Sequence, residues 1–461
     1  MFLIRRTKLP PGAVQASVWM SSTNFRCMLL GVLIAAAGLL SSTAQAQSGE
    51  LTIRIEQGVE SALPIAVVPF AVVGESQSPF DIAAIVSADL ARSGHFAPMP
   101  VADLPARPAS FGAVNFKSWR TLGMENLVIG KILKGADGEY VVEFRLLDVY
   151  KGNQLLGFRI PSSRENLRLT AHHVSDLIYE KLLNQKGAFA TRIAYVTVEK
   201  SKSGKQPVYR MQIADADGYD PHTILESTQP LLSPAWSPDG RHLAYVSFED
   251  KNSAIYLQDV RSGKRERLIS GDGINSSPAF SPDGERLAVT LSRDGDPEIY
   301  LYNLSSGNLS RLTRHPAIDT EPNWAPDGRS LVFTSDRGGG PQIYRVGFDG
   351  STPQRVTYNM GRYNARGRHS PDGKKLAVVH GTDRGYHIAV LDLESGSYDI
   401  LTSARLDESP SFAPNGSMLI YATMGQRGSE LAATSTDGRL KQRLALQRGE
   451  VREPAWGPFR K

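Results

Sequence analysis

The stretch Pro234-Ala-Trp-Ser-Pro-Asp-Gly240 decides how this chain is read. It returns as Pro278-Ala-Phe-Ser-Pro-Asp-Gly284, Pro322-Asn-Trp-Ala-Pro-Asp-Gly328 and Pro410-Ser-Phe-Ala-Pro-Asn-Gly416. A degraded copy, Gly367-Arg-His-Ser-Pro-Asp-Gly373, precedes the last of these, and a truncated one, Pro454-Ala-Trp-Gly-Pro458, ends the chain. The second proline falls at 238, 282, 326, 371, 414 and 458, in steps of 43 to 45 residues. A fixed period of this size marks a repeat architecture.

Outward from each turn the pattern continues. An apolar run follows (Leu243 to Val246, Leu287 to Thr290, Leu331 to Thr334, Leu376 to Val379, Leu419 to Ala422), then a second at a constant offset, such as Ile255 to Leu257. A shorter run such as Arg267 to Ile269 closes the unit. Four short strands per unit describe a propeller blade, not a helical repeat. Ile193 to Val196 is a sixth post-turn strand with no Pro-x-aromatic strand before it, whereas Pro454 to Trp456 is such a strand with no blade after it. The expected architecture is therefore a six-bladed β-propeller over 191–461, closed by the C-terminal strand as the innermost member of blade one. Such a clasp removes a free edge.

In the turn, proline pre-sets φ, aspartate bonds the local backbone and glycine takes positive φ. Trp236, Phe280, Trp324, Phe412 and Trp456 are expected between neighbouring blades. An aromatic ligand cage is the weaker reading, because the position recurs in nearly every blade. His369 breaks the series, with Gly367 in place of proline and Arg366 and Arg368 flanking it. That blade is either locally strained or turns its inner strand toward something polar.

Residues 47–185 lack the period and read as a small α/β domain. Leu51 to Ile55 alternates like a half-buried strand, and Pro64 to Phe70 is a continuous apolar run. Ser78-Pro-Phe-Asp81 opens a helix with serine as N-cap, and Gly94 closes it. Strand-like runs follow at Leu127 to Leu133, Tyr140 to Val149 and Gln154 to Ile160. A second helix begins at the capping-box sequence Ser162-Ser-Arg-Glu165 and ends at Gly187. His172 and His173 are adjacent rather than four apart, so ordinary core or surface histidines are expected there.

Residues 1–46 read as a cleaved secretory signal. Four of the 52 bases and none of the 47 acids lie there, and Ala44-Gln-Ala46 offers a cleavage site. The apolar run Cys27 to Leu40 falls short of the ~20 residues a bilayer span needs, so no membrane insertion of the mature chain is expected. The rest is close to neutral, which argues against nucleic acid as a partner. Cys27 is the one cysteine, so the mature chain has no disulfide and no thiolate chemistry.

Strand order puts the tight turns on one face and the longer loops, where binding residues concentrate, on the other. Inter-blade loops carry Asp272, Asp319, Glu321, Asp407, Glu408, Glu450 and Glu453; loops further out carry Lys251, Arg293, Arg337, Arg384 and Arg427. An acidic mouth inside a basic ring suits a polar protein ligand, and Ca2+ in the axial channel is a minor alternative. No Gly-x-Ser-x-Gly elbow, His-Glu-x-x-His or phosphate-binding loop occurs.

Domain order, the repeats, Gly187-Ala-Phe-Ala-Thr-Arg-Ile-Ala-Tyr195 and Ile65-Ala-Val-Val-Pro-Phe70 closely resemble the TolB family of the periplasmic Tol–Pal system, over essentially the whole mature chain. The resemblance implies a non-catalytic periplasmic protein. Its partners would be the peptidoglycan-associated lipoprotein Pal and TolA, with other outer-membrane proteins and bacteriocins as further ones, in support of outer-membrane integrity and constriction at division. It places Pal over the mouth, at Asn275, Ser277, Thr320, Glu321, Glu408 and Glu453. It places TolA on the mature N-terminus, with Leu51, Ile53, Ile55 and Glu56. Two other classes stand beside it: a propeller hydrolase or lyase, which needs a nucleophile or carboxylate pair at the axial mouth, and a solute-binding propeller, which a ligand-induced thermal shift would reveal.

Overall fold

A computed structural model describes residues 51–57, 62–199, 206–349, 351–425, 428–446 and 449–460. The expected signal, residues 1–46, lies outside the described residues, as does Arg427.

The α/β domain is built on a mixed sheet in the order Phe96–Pro98, Leu63–Val67, Asn126–Lys134, Tyr140–Asp148, Asn153–Ser162. The first three pair in parallel and the last three as antiparallel hairpins. Helices α1 (Ile82–Arg92) and α3 (Leu167–Leu183) bury Val86, Leu90, Val174 and Ile178 against one face. The short α2 (Phe116–Thr121) seats Trp119 against the other. Helix starts fall later than the sequence signals suggest. Asp81, not Ser78, caps α1, accepting from the Ala84 N–H at 3.0 Å. Asn166 precedes α3, and Asn184, at φ 54°, ends it before Gly187.

The propeller has six blades. Blades two to five are four-stranded, each in simple sequence order. Blade one takes Glu450–Trp456 as its innermost strand, paired antiparallel with Arg192–Glu199. The N-terminal strand Leu51–Gln57 does not join the α/β sheet. It pairs antiparallel with Lys441–Leu446 as a fifth, outermost strand of blade six. An alternating segment suits any open edge, and that blade supplies one.

The repeat residues hold the ring together. Asp239 accepts from the Arg241 N–H and the Ser237 hydroxyl while Gly240 sits at φ 67°. A Cβ on Gly284, Gly328, Gly373 or Gly416 would touch the turn proline of the preceding blade, and one on Gly240 would touch Pro458. Proline and glycine therefore form one chain of contacts around the tight-turn face. The aromatics bridge blades: the Trp236 indole N–H donates to the Ala455 carbonyl, and that of Trp324 to Ala279. Arg192 and Arg286 stack over these two indoles.

The α/β domain rests on blades six and one. Asn415 and Gln185 exchange hydrogen bonds with the opposing backbone. A buried ion cluster spans the junction: His172 Nδ1 lies 2.7 Å from Asp89, Arg92 pairs with Asp89, and Arg168 pairs with Asp217. Asp176 of α3 accepts from the Phe189 and Ala190 N–H groups, pinning the connecting segment.

Candidate functional site

Each innermost strand carries a β-bulge, and the bulged residue is left-handed in all six: Ser233, Ser277, Glu321, Arg366, Ser409 and Glu453, with φ between 51° and 56°. Non-glycine residues seldom adopt this conformation, and bulges re-aim side chains. Here they bring residues of different blades together on the axis. The Arg366 Nε donates to Glu321 Oε1 at 2.8 Å, its Nη1 to the Ser409 hydroxyl, and both Nη atoms approach Glu453 Oε1 at 3.4 Å. Glu321 Oε2 also accepts from Thr334 Oγ1 and the Arg366 N–H, and Glu453 Oε2 from the Ser233 N–H. Burial opposes ionisation of Glu453, but Arg366 and that N–H hold its carboxyl below the usual range. These contacts join blades four, five, six and one across the axis and obstruct the channel.

The degraded fourth motif thus turns polar residues onto the axis. His369 keeps the inter-blade role of the missing tryptophan, its backbone N–H bonding Asn323 of the neighbouring blade at 2.9 Å. Burial pushes its imidazole down to about 4, so it is neutral.

Several acids of the inner ring are neutralised by arginines, only one of which, Arg337, belongs to the outer basic ring. Arg337 binds Asp319 at 2.6 Å, Arg452 binds Glu450, and Arg366 binds Glu321 and Glu453. Asp319, Asp407, Glu321 and Glu453 are buried, so the open surface is far less acidic than the composition of its loops implies. Of the expected mouth residues, Ser277, Thr320 and Glu408 are partly exposed. Asn275 is buried and donates to the Ser253 and Gly271 carbonyls. It shapes the loop beneath the surface.

Sequence reasoning missed the apolar part of the mouth. Leu232, Ile274, Tyr358, Tyr386 and Met424 are exposed at strand ends and loops on this face. Between blades five and six an open cleft of about 1000 Å³ is lined by Arg362, Arg384, Arg405, Tyr363, Tyr386 and Met424. Between blades two and three a smaller hollow of about 260 Å³ lies among Leu232, Phe248, Lys251 and Ile274. These exposed side chains stand singly, near strand ends or in loops, so no periodicity announces them. Leu51, Ile53, Ile55 and Glu56 lie together on the N-terminal strand, at the outer edge of blade six.

These elements define a class: a six-bladed β-propeller bearing an N-terminal α/β domain, with a broad mouth and a plugged axis. A family model described as the TolB amino-terminal domain matches residues 51–155, and one described as the TolB beta propeller domain matches residues 179–460. The Tol-Pal system protein TolB of Nitrosococcus oceani is 55% identical over 439 residues, covering 95% of this chain and 100% of that one. That of Xanthomonas campestris pv. campestris is 56% identical over 425 residues, covering 92% and 96%. The crystal structure of TolB from Acinetobacter baumannii superposes with a TM-score of 0.82 at 43% identity, covering 89% of this chain and all of that one. The chain belongs to the TolB family.

Proposed function

We propose that this protein is a non-catalytic periplasmic adaptor of the Tol–Pal system. It takes the peptidoglycan-associated lipoprotein Pal on the propeller mouth and TolA on its N-terminal strand, serving outer-membrane integrity and constriction at division. The observation that carries this reading is the composition of the mouth. Exposed apolar side chains alternate there with bases around a concavity, as in a protein-binding surface with a desolvated centre and a charged rim. A non-catalytic role is supported by the axis itself: Glu321 and Glu453, the carboxylates a hydrolase would need there, are both held by Arg366.

Calorimetric titration of residues 47–461 with the soluble domain of Pal from the same organism tests the reading, with Ile274→Asp and Glu408→Lys as variants. One-to-one binding weakened at least tenfold by either variant is expected. Absence of binding heat at two temperatures would sink the proposal and return attention to a small ligand in the channel.

A further inference from the structure

From the Arg366 cluster toward the tight turns, the axial channel holds a cavity of about 210 Å³, lined at one end by Arg366, Ser409 and Glu453. Arg368 stands in it. A guanidinium carries five N–H donors, yet among the described residues Arg368 donates only from Nη1 to the adjacent Gly367 carbonyl, at 3.0 Å. The nearest acids are turned elsewhere, since the oxygens of Glu321 and Glu453 are engaged by Arg366, Thr334 and Ser233.

Two further donors line the same cavity. Asn323 accepts through Oδ1 from His369, which leaves its amide N–H2 to donate. Ser411 accepts from the Trp456 N–H, which leaves its O–H to donate. Asn323, Arg368 and Ser411 come from the innermost strands of blades four, five and six, three consecutive blades. We propose that this half of the channel is a binding site for a small organic carboxylate, held in the fork of Arg368 with Asn323 and Ser411 as flanking donors.

The energetics favour such an occupant. Burial, with the charge of Arg366 beside it, lowers the Arg368 pKa to about 10, so the group remains charged at neutral pH. Arg368 is partly buried and forms no ion pair among the described residues, and a planar carboxylate matches the guanidinium fork with two parallel bonds. The small walls contributed by the repeat, Ala235, Ala279 and Ala455, leave room at the axis. A divalent cation in this lower half would face two guanidinium groups.

Trifluoroacetate, followed by ¹⁹F NMR on residues 47–461, is the probe. Saturable line broadening is expected, with affinity lost roughly tenfold or more in Arg368→Gln and partly kept in Arg368→Lys. Arg368→Gln should melt close to or above the parent temperature, because it removes a partly buried cation that stands beside the like charge of Arg366; retained fold with lost binding then separates the site from the scaffold. Competition names the source. Displacement by succinate assigns a free acid, and displacement by an acidic peptide but not by succinate assigns a protein carboxylate. Equal binding by Arg368→Gln, equal displacement by sulfate, thermal stabilisation by Ca2+ alone, or no broadening in the parent would each overturn the proposal.

Discussion

Arg366 is the residue on which the axis turns. It pairs with Glu321 and Glu453 at the axis, and removing it leaves both buried carboxylates without their ion-pair partner. Breaking a buried pair in this way costs about 3–5 kcal/mol, more than keeping the pair contributes over an apolar substitute. Arg366→Met should lose stability of that order in urea unfolding, and adding Glu321→Gln and Glu453→Gln should restore most of it. A loss under about 1 kcal/mol in the single variant would mean the cluster is ornamental to the fold. Asp176 offers a pH test of the domain junction. Burial raises its carboxyl to about 6 from an ordinary value near 3.8, against the pull of the Phe189 and Ala190 N–H groups. Between these values the folded state binds more protons than the unfolded one. Stability is therefore greatest below pH 4 for this group and falls as pH rises toward 6, by about 3 kcal/mol at most. Asp176→Asn should flatten the slope in that window in denaturation measured at several pH values; an unchanged slope would assign it to other groups.

At the scale of elements, the N-terminal strand differs from every other strand of the propeller. It lies on the outer edge of a blade that already has four strands of its own. Deleting residues 47–57 removes an edge partner and leaves the blade's hydrophobic contacts with its neighbours in place, because Leu431, Ala433 and Leu444 pack inward without it. The deletion should shift the thermal midpoint of the propeller by only a few degrees. On the proposed function it should also abolish capture of TolA in a pull-down. Unchanged capture would refute the assignment of this strand, and loss of the cooperative transition would show that blade six depends on it. The inner strands behave in the opposite way. Their bulges are shared by all six blades, so the strained position is a property of the repeat, and what varies is the side chain it presents to the axis.

For the whole molecule, closure and plugging are separate achievements. Closure depends on Glu450–Trp456 pairing with the start of the propeller and on Pro458 meeting Gly240. These contacts join the two ends of a ring that is otherwise linked by sequence neighbours. Plugging depends on residues 45 and 87 positions apart, with Arg366 of blade five reaching Glu321 of blade four and Glu453 of blade one. The plug divides the channel into a mouth that suits a protein partner and a lower cavity that suits a small anion, so two ligands could be held without competing for the same atoms. The α/β domain sits against blades six and one, where the closing strand and the N-terminal strand also lie. Interdomain contact, ring closure and the proposed TolA segment thus share one side of the propeller.

Much of this was legible in the sequence, because the propeller repeats and repetition is a local signal. The period, the four runs per unit and the unpaired first and last fragments determined six blades and a C-terminal clasp. The turn prolines, glycines and inter-blade aromatics followed from their own stereochemistry. The tertiary structure alone decided which charges meet. A carboxylate and a guanidinium on different blades find each other through the curvature of the ring, which no linear spacing encodes; Glu321 and Glu453 therefore read as mouth residues and turned out to be partners of Arg366. The same holds for the N-terminal strand, whose alternation announced a strand but not its sheet, since an edge accepts any extended segment that reaches it.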